Sequence, residues 1–343
     1  MRVLLVKTSS LGDLIHTFPA LSDAAHAVPG IRFDWLVEEG FAEVPAWHPA
    51  VGVVIPIALR RWRKNWRRAW RSGELAACRK QLRASPYDLV LDAQGLVKSA
   101  WPARWASGPR AGFDRHSARE PLAALLYQRR YRVDREQHAV ARTRQLFAAA
   151  LGYPLPDSPA DYGLRFSAAH DADERRLIFL HGTTWPSKHW PEPYWAELAH
   201  IANKQGFDVA LPWGDPDDRL RAERIIGAAE TGRLLPRQSL TDMAQLLARA
   251  DGVVGVDSGL AHLAAAVGVP AVTLYGPTRT ELTGALGPRQ RNLAADFECA
   301  PCMRRVCDYA GQSAVQPACF EQLNPGRVWQ ALNAQMTQDP DSR

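Results

Sequence analysis

Residues 252–268 constrain the fold of this chain more than any other stretch. Gly252-Val253-Val254-Gly255-Val256 is a short, valine-rich apolar run, Asp257-Ser258-Gly259 is a polar turn, and 260–267 is a small-residue helical segment that Gly268 stops. A buried strand feeding a helix through a tight polar turn belongs in an open α/β sheet. An acidic residue, a small hydroxyl and a glycine at the helix start also offer backbone N–H groups to an anion. Open α/β sheets bind their ligands at such carboxyl ends of strands.

The same alternation recurs along the chain. Residues 2–7 read as a strand, 8–13 as a polar loop, and 14–27 as a helix with Pro19 as a kink. Strands are expected at 33–37, at 51–57 with Pro56 ending it, and at 87–91 before Asp92-Ala93-Gln94-Gly95. From 112 to 131 the pattern is weak, and 136–151 is an amphipathic helix closed by Gly152. Prolines, glycines and acids without periodicity mark a boundary at 154–173. The alternation restarts at 176–181, with further strands at 208–213, 233–236 and 271–275 and a tail helix at 325–336. Two such halves predict two Rossmann-like, doubly wound α/β domains facing an interdomain cleft: 1–165, 174–322, and a tail at 323–343.

No run approaches the roughly 18–20 apolar residues that span a bilayer, and Met1 leads directly into a strand without a signal peptide's cleavage site. A cytoplasmic protein is therefore expected. The net charge of +6 is unevenly placed. Arg60, Arg61, Arg63, Lys64, Arg67, Arg68 and Arg71 fall in one acid-free segment interleaved with Trp62, Trp66 and Trp70. Such a cluster points to an anionic partner, either a phosphorylated substrate or a membrane surface. A nucleic-acid partner is not expected, because no RNP, helix-turn-helix or zinc-finger context accompanies it.

Individual residues allow two readings each. Asp13 closes the first strand-end loop, as a proton acceptor or as a helix cap. Thr183, Thr184 and Lys188 share the loop after residue 181, which suits phosphate oxygens or is a solvated turn; the P-loop spacing is absent. His262 lies in the first turn after Asp257, as a ligand or a structural histidine. Arg119, His138, Arg142 and Arg144 add positive charge to the first half. Cys299, Cys302, Cys307 and Cys319 have spacing compatible with a structural four-thiolate zinc site or with reduced thiols packing a loop.

The stretches RVLLVKTSSLGDLIHTFPAL, LDAQGLVKSA, REPLA, HAVARTRQLFAAALGY, KHWPEPYW, LPWG, VDSGLAHLAAA and YGPT occur in order along nearly the whole chain. Together they resemble the lipopolysaccharide heptosyltransferases of glycosyltransferase family 9, and RRWRKNW and LDAQGLVKSA resemble the type I branch. The resemblance implies a GT-B fold and an inverting transfer of L-glycero-D-manno-heptose from ADP-heptose to Kdo of Kdo2-lipid A. Types II and III share the plan, and a nucleotide-sugar-binding protein without catalysis is the alternative outside enzymes. By motif, Asp13 is the implied catalytic base. Thr183, Thr184, Lys188, Asp218, Gln238, Asp257, Ser258, Gly259 and His262 are implied donor residues, with Asp218 standing for a glutamate, Gln238 for a methionine and Ser258 for a threonine. Arg60, Arg61, Arg63, Lys64, Lys98, Arg119, His138 and Arg142 are expected on the acceptor side. No cofactor is required by this scheme, and the chain is expected as a peripheral protein on the cytoplasmic face of the bacterial inner membrane, its tail helix crossing back to the N-terminal domain.

Overall fold

A computed structural model describes residues 1–166 and 175–338. Part of the expected linker, the expected start of the second domain at 174 and the last five residues of the tail lie outside the described residues. The chain divides into two compact units, with the boundary between Leu164 and Arg165.

The first unit is a parallel sheet of β1 (Arg2–Val6), β2 (Arg32–Glu38), β3 (Val51–Ile57), β4 (Leu89–Asp92), β5 (Arg110–Phe113) and β6 (Arg129–Tyr131), in the order β3-β2-β1-β4-β5-β6. The second contains β7 (Arg176–Leu180), β8 (Asp208–Leu211), β9 (Arg233–Leu234), β10 (Gly252–Val256), β11 (Ala271–Tyr275) and β12 (Gln290–Ala294). Its order is β12-β11-β10-β7-β8-β9, again all parallel. Both sheets thus wind outward from their centre in opposite directions, with switch points between β1 and β4 and between β7 and β10. Ligands of doubly wound sheets sit at the carboxyl side of such switch points.

Helices cover the central strands, so those strands are apolar without alternation. Val3, Leu4, Leu5 and Val6 are fully buried, and all of β10 and β11 is buried. Gly255 permits a close approach here. A Cβ on it would stand 3.2 Å from Leu180 Cβ and 3.4 Å from Ala261 Cβ, so the helix Gly259–Val267 packs tightly on the sheet.

Several local expectations are revised. Pro56 does not end its strand; it lies inside β3 opposite Val37, which is tolerated because β3 is an edge strand and needs ladder bonds on one side only. Pro19 does not kink a long helix. There are two helices, Leu11–Ile15 and Phe18–Ala27, and Pro19 occupies the first turn of the second, where no N–H is required. β5, β6 and β12 were not anticipated, since strands of three to five residues at or near a sheet edge carry little periodicity. The last helix, Pro325–Thr337, buries Val328 and Leu332 with Leu177 and Leu198 in the core of the second unit.

Candidate functional site

In the second unit the switch point brings the loop after β7 beside the turn after β10. Asp257 is the hub of the contacts there. Its Oδ2 accepts a hydrogen bond from Thr278 Oγ1 at 2.6 Å and pairs with Lys188 Nζ at 2.7 Å. Its Oδ1 lies 3.8 Å from His262 Nε2, and its backbone oxygen accepts from Thr183 Oγ1 at 3.2 Å. The Asp257 side chain is 7% exposed. A buried carboxylate is held in place only when its charge is paired, and Lys188, stacked over Trp185 at 4.6 Å, does this.

Ser258 is the residue that opens the helix Gly259–Val267. Its hydroxyl is buried and has no hydrogen-bond partner. Buried hydroxyls are almost always satisfied, so this one is available to a bound group. Thr184 is exposed in the neighbouring loop. Asp218 also reaches this loop: a Cβ on Gly182 would stand 2.8 Å from Asp218 Oδ1, and only the missing side chain allows the approach. Asp218 accepts from the Gly214 N–H at 3.3 Å, and burial together with Asp215 pushes its pKa up. Gln238 is not joined to this group; its amide donates to Pro236 O at 3.2 Å. A lysine, hydroxyls and a helix N-terminus are groups that can hold an anion, with Asp257 bonded to several of them.

The first unit repeats the arrangement with different chemistry. Asp13 lies in the short helix Leu11–Ile15, and its Oδ2 accepts from the Ser10 N–H at 2.9 Å and from Ser10 Oγ at 3.2 Å. It is therefore both a cap and a candidate base. Arg119 Nη1 stands 3.7 Å from Oδ2 and Lys7 Nζ 3.9 Å from Oδ1. Burial pushes the Asp13 pKa up, but Lys7, Arg119 and the Ser10 donors outweigh it and hold the carboxyl below its ordinary value. Asp13 thus stays ionised at neutral pH, and both Ser10 bonds go to Oδ2.

The loop that carries Asp13 is clamped from β4. Gln94 Oε1 accepts from the Thr8 N–H at 2.7 Å, from Thr8 Oγ1 at 3.1 Å and from the Ser9 N–H at 3.3 Å, while its amide donates to Ser9 O. Asp92 in turn accepts from the Gln94 and Gly95 N–H groups, from Ser99 Oγ and from Tyr127 OH at 2.8 Å. Lys7, Gln94 and Thr278 were not singled out from sequence. The signal for Lys7 was present, as the cation that directly follows the apolar run Val3-Leu4-Leu5-Val6.

The expected acceptor residues separate into groups. Lys98 reaches the Asp13 loop, with Nζ 3.4 Å from Ser9 Oγ, and Arg119 reaches Asp13 itself. Arg60, Arg63 and Lys64 are exposed, and Arg60 lies over the Phe41 ring. Arg61 is instead held by Glu39 and Glu74, acids that flank the basic segment in space although none lies within it. Trp62 is buried with its indole N–H donated to Glu74. His138 caps the helix Ala139–Leu151, and Arg142 donates to Ser117 O beneath Phe113. Arg142 Nε is buried without a hydrogen-bond partner.

A profile described as glycosyltransferase family 9 (heptosyltransferase) matches residues 75–312. The chain belongs to glycosyltransferase family 9, the heptosyltransferases. This family 9 enzyme is 55% identical over 348 residues to lipopolysaccharide heptosyltransferase 1 of Pseudomonas aeruginosa, with 98% of each chain covered. Its structure resembles E. coli heptosyltransferase WaaC with ADP at a TM-score of 0.86 and 43% identity, covering 98% of this chain and 100% of the other. It also resembles E. coli heptosyltransferase WaaC with ADP-2-deoxy-2-fluoro heptose at a TM-score of 0.83 and 44% identity, over 97% and 99% of the two chains. The pair of parallel six-stranded units is the GT-B architecture.

The four clustered cysteines of this family 9 enzyme lie near one another, and Cys299, Cys302 and Cys307 add to the burial that pushes the Cys319 thiol up. All are free thiols, Cys299 exposed and Cys319 buried. Among the described residues no group of three or more His, Cys, Asp or Glu side chains is arranged to hold a metal ion.

Proposed function

We propose that this enzyme transfers L-glycero-D-manno-heptose from ADP-heptose to Kdo of Kdo2-lipid A, with inversion, in lipopolysaccharide inner-core biosynthesis. The observation that carries the donor half is the buried, unpartnered Ser258 hydroxyl at a helix N-terminus beside Lys188 and Thr183. It is supported by the likeness to relatives whose names specify type 1 and an ADP-heptose analogue.

The donor diphosphate takes Ser258 Oγ, the N–H groups at Gly259, the Thr183 and Thr184 hydroxyls and Lys188. Asp257 does not touch it, since two anions would repel; it positions Lys188, Thr278 and His262. Asp218 stands at the loop edge, where a carboxylate accepts a ribose hydroxyl. As the anomeric bond breaks, charge grows on the diphosphate, and Lys188 and the helix terminus stabilise it. In the first unit Asp13 Oδ1 takes the proton of the attacking Kdo hydroxyl. Lys7 and Arg119 keep Asp13 ionised for that role, and Lys98 with exposed Arg119 receives acceptor carboxylates.

Among the described residues no helix is long and apolar enough to cross a membrane. The enzyme works as a peripheral protein on the cytoplasmic face of the inner membrane. Exposed Trp66 and Trp70, with Arg63, Lys64 and Arg67, suit an anionic headgroup layer. The test is transfer by the purified protein from ADP-heptose to Kdo2-lipid A, with the anomeric configuration of the product read by NMR. One heptose added to Kdo with inversion is expected. No transfer to Kdo2-lipid A, together with transfer to an acceptor already carrying heptose, would replace type I by another type.

A further inference from the structure

A second apolar surface lies in the first unit, apart from Trp66 and Trp70. The helix Val97–Ala103 and the short helix Pro121–Leu126 pack on one another through Ala100, Ala123 and Tyr127, all buried. Their inner faces are thereby satisfied. Their outer faces nonetheless present Trp101 at 55%, Leu122 at 67% and Leu125 at 69% exposure. Three large apolar side chains turned to solvent from two short, well-packed elements are not a core residue set that failed to be covered.

The charge around them is one-sided. Residues 97–132 contain eight basic and two acidic side chains, so this segment alone carries as much net positive charge as the whole chain. Both acids are already hydrogen-bonded to backbone N–H groups. Glu120 accepts the Val97 N–H at 2.7 Å, and Asp114 accepts the His116 and Ser117 N–H groups. Arg104 lies over the Trp101 ring at 5.4 Å, the arrangement of an amphipathic aromatic beside a cation at a membrane interface. The surface is also continuous with the catalytic loop. Glu120 donates its N–H to Gly95 O, Lys98 contacts Ser9, and Arg119 contacts Asp13.

We propose that Trp101, Leu122 and Leu125 form a docking face for an anionic lipid bilayer, placing the Asp13 loop at the headgroup surface. This rests on the reading that the enzyme acts at a membrane, and it adds a contact separate from Trp66 and Trp70. Apolar insertion supplies affinity and the surrounding arginines supply selection for negative headgroups.

The experiment is co-sedimentation of the full chain with phosphatidylglycerol–phosphatidylethanolamine vesicles and with phosphatidylcholine vesicles. Comparison is between wild type, the triple variant W101S/L122S/L125S and the pair W66S/W70S, with circular dichroism melting to confirm each fold. Wild type should bind the anionic vesicles and not the neutral ones, and the triple variant should bind at least about tenfold more weakly. A single L125S variant should show a smaller loss if the triple variant melts early. Transfer to acceptor presented in vesicles should fall in the triple variant, while transfer to a deacylated, soluble acceptor should not. Equal binding by wild type and triple variant overturns this face while leaving a membrane role through Trp66 and Trp70 standing. No binding by wild type overturns both. A wild-type dimer in sedimentation velocity that the triple variant loses assigns the face to a second copy of the chain and overturns the proposal.

Discussion

Lys188→Ala separates the two roles assigned to this lysine. Its ammonium lies 2.7 Å from Asp257 Oδ2, and the two side chains are 16% and 7% exposed. Removing one partner of a buried pair leaves the other charge uncompensated, which costs about 3–5 kcal/mol. Thr278 still donates to Asp257 and Lys188 retains some solvent contact, so the low end, about 3 kcal/mol, applies. In a domain of this size that corresponds to a Tm lower by roughly 6–12 °C. A donor aimed at charge developing in a transition state is worth about 10²–10³ in kcat. Adding Asp257→Asn removes the orphaned charge and keeps a hydrogen-bond acceptor for Thr278. The double variant should therefore regain most of the lost Tm, measured by calorimetry, while single-turnover transfer from ADP-heptose stays down by the full factor. Recovery of transfer together with Tm would show that Lys188 acts only by neutralising Asp257. An unchanged Tm in Lys188→Ala would refute the buried pair itself.

Asp13→Asn should leave ADP-heptose binding by calorimetry unchanged and lower transfer about 10²–10⁴-fold; unchanged transfer removes Asp13 as the base. Because the Asp13 pKa is depressed, its acid limb in kcat/KM lies below the ordinary 3.8, and Arg119→Gln should move that limb upward. The same depression means that ionised Asp13 contributes stability in full above its unfolded value, lost as pH falls through the folded one. His181 is fully buried and held neutral, its pKa lowered to about 4 by burial and by Arg221. Unfolding lets it take a proton, so stability should fall by about 1.4 kcal/mol per pH unit between 6.5 and 4. His181→Asn should flatten that slope in pH-dependent melts, and a slope that persists unaltered would count against it. Gln94→Ala frees the Thr8–Ser9 backbone and should lower kcat with acceptor while leaving the donor Kd unchanged; a matching rise in donor Kd would indicate a general folding defect.

The strand–turn–helix at 252–268 was legible because three local signals coincide there. A continuous apolar run marks a strand buried on both faces, Ser258 and Gly259 mark a helix start, and Gly268 in a left-handed conformation marks its end. The motif residues Thr183, Lys188, Asp257 and His262 converge on one locus for the same reason: each sits within a few residues of a strand's carboxyl end. The weak stretch 112–131 concealed two strands, because β5 and β6 are too short to show a period and draw their stability from neighbours distant in sequence.

What the chain of letters determined is therefore the local grammar: which runs are strands, where helices begin, and which strand ends carry polar groups. Strand order, and with it the two switch points, was decided only by tertiary pairing. So were the electrostatic partnerships. Glu39 and Glu74 neutralise Arg61 from outside its acid-free segment, and Lys7 and Arg119, over a hundred residues apart, converge on Asp13. Periodicity and capping act over three or four residues and can be read along the chain. Charge pairing and desolvation depend on distance through space, which only the folded arrangement sets.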